Sequence, residues 1–76
     1  MMAMNVMKAC QSVLFGNKKM THKEILNNPN TKKNYVSLED GRLTDENGNY
    51  LFDVQTYINR DMKTGWFEYK EGENNG

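Results

Sequence analysis

Near the start of the chain, apolar positions recur at helical spacing at Val6, Cys10, Val13 and Leu14, offsets of zero, four, seven and eight. Lys8, Gln11 and Ser12 fall away from that stripe, so Asn5 to Phe15 reads as an amphipathic helix. Asn5 supplies an N-cap side chain, Gly16-Asn17 a stop, and the apolar stripe is expected to pack on a sheet. From Lys18 to His22 the period shortens to that of a brief strand. Lys23 to Asn34 then holds four Asn and Pro29 with no sustained period, which predicts a long loop of the kind that carries function or moves.

Beyond it, "NYVSL", "GRLT" and "NYLF" alternate as short strands. Between them, Asp40-Gly41 predicts a two-residue hairpin loop with both residues at positive φ. Asp45-Glu46-Asn47-Gly48 predicts a longer turn closing on a left-handed glycine. Two expectations compete for "LFDVQTYI": a helical turn capped by Asp53 and running through Ile58, or a continued strand. "NRDMKTG" reads as a turn and "WFEYK", Trp66 to Lys70, as a final strand in which Trp66 and Phe67 point to opposite faces. The pattern predicts an α+β fold: an N-terminal helix packed on a four- to five-stranded antiparallel β-sheet. One small domain spans residues 1–71, followed by a flexible polar tail at 72–76.

Composition changes this picture in three ways. At 76 residues the chain is near the size at which one core barely outweighs chain entropy, so homo-oligomerisation is expected. Ten basic and ten acidic residues cancel, but residues 1–33 carry a net +5 and residues 34–76 a net −5. The basic half offers an anion-binding face; the ordinary alternative is that the halves complement each other within the fold or between subunits. A single Cys10 excludes an intramolecular disulfide and a multi-cysteine zinc site. No apolar run approaches the ~20 residues of a membrane span and no signal peptide is visible, which predicts a cytosolic protein without membrane partners. In "MMAMNVM" initiation at Met4 is as consistent as at Met1, Met2 or Met7.

Catalytic chemistry is hard to assemble from this chain. One His and one Cys give little material for a nucleophile and base, and His22 near Glu24 has no informative spacing. Cys10 on an apolar stripe is by default an inert buried thiol. No phosphate-binding glycine loop, dinucleotide pattern or metal spacing occurs, and "DENGN" lacks the ligand register of a calcium loop. No catalytic residue, cofactor or metal is therefore assigned. What remains is a binding surface: aromatics on an open sheet face to stack on a base, and Lys18, Lys19, Lys32 or Lys33 to meet phosphates. A basic recognition helix for sequence-specific DNA is absent, and so is the acidic surface of a DNA mimic.

The order "MNVMKACQSVLFGNKKMTHKEI", "YVSLEDGRLTDENG" and "GWFEYKE" resembles the small phage-encoded Thoeris anti-defence proteins (Tad2-like), in outline over most of Met4 to Glu71. The resemblance implies a helix on an antiparallel sheet, a homo-oligomer, and a non-enzymatic sponge for cyclic nucleotide signals such as cyclised ADP-ribose isomers. Where that family has an Arg followed three residues later by a Trp, this chain has His22 and Ile25. Trp66 and Glu68 align with the family's closing pair; Asp61, just before it, is the expected contact for ribose hydroxyls, with a solvated turn residue as the ordinary alternative. The expected ligand-binding set is therefore Lys18, Lys19, His22, Tyr35, Asp61, Trp66 and Glu68. The small nucleotide-type ligand would be held without turnover in the cytoplasm of an infected or lysogenic bacterial host. A related lineage implies the alternative: a protein–protein inhibitor of a host defence enzyme or CRISPR nuclease, with Trp66 and Tyr69 as its anchors.

Overall fold

A computed structural model describes residues 4–70; the polar tail at 72–76 and the alternative starts at Met1 and Met2 lie outside the described residues. The first helix, α1, spans Val6–Gly16. The Asn5 side chain accepts the Lys8 N–H at 2.8 Å, satisfying one of the N–H groups that the first turn leaves unpaired. At the other end Asn17 turns left-handed at φ 52°, and the Asn17 and Lys18 N–H groups donate to the carbonyls of Val13 and Ser12. The buried face is Val6, Ala9, Cys10 and Val13. Leu14, expected on that stripe, is exposed, and Ala9 takes its place.

β1 (Met20–His22) follows at once, and α2 (Lys23–Leu26) begins where it ends. The expected loop over Lys23 to Asn34 is therefore helical in its first turn, with Ile25 buried beneath it. β2 (Ser37–Glu39) and β3 (Arg42–Thr44) form the predicted hairpin in the register Glu39↔Arg42, with Asp40 at φ 54° and Gly41 at φ 75°. Asp45 organises the next turn: its Oδ1 accepts the N–H groups of Asn47 and Asn49, and Gly48 sits at φ 84°. Of the competing expectations for "LFDVQTYI" the helical one prevails, as α3 (Gln55–Asn59), with Asp53 Oδ1 accepting the Gln55 N–H. β4 (Trp66–Glu68) closes the fold.

Among the described residues the expected four- to five-stranded sheet is not seen. Two antiparallel two-stranded sheets take its place, β1 with β4 and β2 with β3. Among the described residues one bridge, Met20↔Val36, joins them. Beyond it Thr21 reaches the Asn34 carbonyl through its hydroxyl at 2.6 Å, so the neighbouring backbone leaves the ladder. The "NYLF" segment adds just the bridge Thr44↔Tyr50, and Met4 bridges to Trp66 on the far side of β4. Helix α1 lies across both sheets, and the core between them gathers Val6, Val13, Met20, Ile25, Val36, Tyr57, Met62 and Trp66. Burying an apolar side chain of this size contributes roughly 1.5–3 kcal/mol. Trp66 is the largest: its Nε1–H donates to the Met62 carbonyl at 2.6 Å, and its ring meets Tyr57 edge-on at 4.9 Å. No helix among the described residues is long and apolar enough to cross a membrane.

Candidate functional site

The β1–α2 junction is built on His22. As the last residue of β1 it is extended, and its buried ring lies edge-on to Trp66 at 5.5 Å. The Glu24 backbone N–H can only donate, so His22 Nδ1 accepts it, at 3.0 Å, and thereby caps α2. The ring proton then sits on Nε2, which donates to the Thr64 carbonyl at 2.7 Å. Both nitrogens are engaged by backbone. Gly65 makes this possible: it sits at φ 90°, and a Cβ there would lie 3.1 Å from His22 Nε2.

A second polar cluster, Glu46 with Tyr57 of α3 and Arg60 at the C-terminal end of α3, lies beside this junction. Glu46, almost completely buried, accepts the Tyr57 hydroxyl at 2.6 Å and the Arg60 guanidinium at 3.1 Å. Arg60 also lies over the Tyr57 ring, 5.5 Å from its centre. Burial, and after it the Glu46 hydrogen bond, raises the Tyr57 phenol far above its ordinary range. Arg60 is thus anchored at one nitrogen while half exposed. The next residue, Asp61, is held left-handed at φ 62°, an uncommon conformation outside glycine and asparagine.

Between these groups opens a cleft of about 520 Å³ lined by His22, Lys23, Glu24, Arg60, Asp61, Thr64 and Gly65. Two cations, Lys23 and Arg60, share it with two carboxylates, Glu24 and Asp61. A smaller recess of about 230 Å³ continues from Glu24 and Arg60 to Asn27, Asn28 and Met62. Among the described residues no group of three or more His, Cys, Asp or Glu is placed to hold a metal.

The seven expected ligand-binding residues do not form one site. His22 and Asp61 line the cleft. Trp66, expected to stack on a ligand, lies fully buried beneath His22 and offers no open ring face; the same burial removes it as a protein anchor. The other four gather at the opposite end of the β1–β4 ribbon. There Lys18 pairs with Glu68 at 3.8 Å, and Lys19 Nζ lies 4.8 Å over the Tyr35 ring. Tyr35 packs against Tyr69 at 5.0 Å, which ties Tyr69 down as well. Lys33 approaches the same ring at 5.6 Å and reaches Glu39, whose carboxyl is held below its usual range by the Ser37 hydroxyl first and Lys33 second. Sequence reasoning missed Lys23, Arg60, Thr64, Gly65 and Glu46. "RD" in the turn before Trp66 was a usable signal for Arg60; Glu46 gave none, because its partners are 11 and 14 residues away. Compared with protein-family models, with curated proteins and with solved structures, the chain matches none.

Proposed function

We propose that the protein binds and sequesters a small nucleotide-type signalling molecule in the His22–Arg60 cleft, without turnover, as a phage anti-defence factor in the host cytoplasm. One observation carries the reading: a cleft of about 520 Å³ lined by the cations Lys23 and Arg60 together with the carboxylates Glu24 and Asp61. That volume is in the range of small-molecule sites, roughly 300–1,000 Å³. Arg60, pinned by Glu46, presents its remaining donors to a phosphate as a preset fork, and Lys23 adds a mobile point charge. Asp61 and Glu24 are acceptors for the sugar hydroxyls of a cyclic ADP-ribose isomer or cyclic dinucleotide. Binding without chemistry is supported by His22, whose two nitrogens are both committed to backbone and so do not serve as a general base. The alternative, inhibition of a host defence enzyme or CRISPR nuclease, has lost Trp66 as its anchor.

The test is calorimetric titration with a panel of cyclic ADP-ribose isomers and cyclic dinucleotides. One member should bind saturably, and Lys23→Ala and Asp61→Asn should each weaken it about tenfold or more, the effect of one lost charge-assisted hydrogen bond. Asparagine tolerates the left-handed backbone at position 61, so the second variant removes charge without strain. Lys19→Ala should leave affinity unchanged. Heat with no panel member, or a loss confined to Lys19→Ala, would overturn the cleft as the site.

A further inference from the structure

Helix α1 carries a second apolar stripe, one residue out of phase with the buried one: Met7, Gln11, Leu14 and Phe15, again at offsets of zero, four, seven and eight. This stripe is uncharged and faces away from the core. Met7 is 54% exposed, Leu14 42% and Phe15 86%, while Tyr50 and Phe52 beside them are 45% and 90% exposed. The two groups are contiguous. One apolar hollow of about 300 Å³ runs from Met7 and Cys10 past Leu14 and Leu43 to Phe52 and Asp53. Another shares Leu14, Leu43 and Phe52 with it and continues to Arg42 and Tyr50. Phe15 lines neither hollow and projects from the end of the stripe.

We propose that a second copy of this chain covers this face, through an isologous contact in which α1 packs antiparallel to its partner and Phe15 of each copy enters the first hollow of the other. Area supports a second copy. With aromatic side chains offering 150–250 Å² each, the five exposed residues leave roughly 600 Å² uncovered, at the top of what a monomer shows. Doubled across a two-fold axis, that reaches the lower bound of stable interfaces, about 1,200 Å². Charge supports it independently. Asp53 lines only the first hollow, and Arg42, stacked over the Tyr50 ring of its own chain at 4.8 Å, only the second. A two-fold axis through the shared residues lays Arg42 of one copy against Asp53 of the other, twice, so the face is complementary to itself.

Sedimentation equilibrium on the full chain tests this. The wild type should run at twice the 8.9 kDa chain mass, and Phe15→Asp or Phe52→Asp at the single mass with an unchanged far-ultraviolet spectrum, since neither ring supports the monomer core. Arg42→Asp and Asp53→Arg should each weaken the dimer at least tenfold, and the double variant should restore it. A wild type that stays monomeric up to about 100 μM, above the micromolar range of weak interfaces of this size, would overturn the proposal and leave the face to a foreign protein. A dimer that survives both Phe variants, or a charge-reversed pair no better than its single changes, would overturn it as well.

Discussion

At the scale of single residues, the cleft depends on an atom that is absent. Gly65 sits at positive φ and leaves His22 Nε2 free to reach the Thr64 carbonyl. Gly48 has a similar φ of 84° but nothing within 4 Å of where a Cβ would stand. Gly48→Ala thus measures backbone strain alone, whereas Gly65→Ala adds the displacement of His22. Strain of this kind costs about 1–3 kcal/mol. Gly65→Ala should exceed Gly48→Ala by at least about 1 kcal/mol, because the His22 hydrogen bond and the α2 cap shift together. Equal losses in urea unfolding would mean that the imidazole yields without consequence. None of this was legible in the sequence, where His22 is a lone polar residue and Gly65 one of several turn glycines. Trp66 illustrates the same limit. Alternation along β4 states that Trp66 and Phe67 point to opposite faces, but which face is covered is decided by α1, far back in the chain, and by Tyr57 of α3.

Local chemistry decided the elements more fully. Asn5, Asn17, Asp40-Gly41 and Gly48 act within two to five residues of themselves, and each does what its type predicts. Asn5→Ala should accordingly destabilise the fold by about 1 kcal/mol, read as a fall in thermal midpoint of roughly 4–8 °C for a domain this size; Asn5→Asp should leave it near wild type. An unchanged midpoint in the alanine variant would show that water replaces the cap. Two elements escaped the local rules. Helix α2 is capped by a histidine ring, which is not among the usual capping side chains, so nothing announced a helix in "KEIL". The single sheet failed because pairing between β1 and β2 is a tertiary matter, and the Thr21 hydroxyl ends it after one bridge.

Across the whole molecule, the opposed charges of the two halves are partly brought together: Lys18 meets Glu68, and Lys33 meets Glu39. These are surface pairs and contribute little. The buried protons matter more. Burial holds the Cys10 thiol up to about 11, and burial with Glu46 raises the Tyr57 phenol further. The unfolded chain releases the thiol proton near pH 8.5 and the phenol proton near pH 10, while the folded state keeps both. The folded state therefore binds more protons, and stability falls as pH rises. The slope should be ~1.4 kcal/mol per pH unit from about pH 9 and roughly double above pH 10, with no contribution from either group below pH 8. Urea midpoints at about pH 8, 9, 10 and 11 would show it, and Cys10→Ala should remove the first part of the fall; a flat profile would contradict the burial of both groups. The pairing of Met4 with Trp66, and of β1 with β4, also sets the order of events during synthesis. Helix α1, at 11 residues, is too short to persist alone in water. Its partners on β4 are among the last described residues to be made. A nascent chain must therefore carry its apolar stripe incompletely covered until Trp66 has cleared the ribosome, and only then can the β1–β4 ribbon and the full core form.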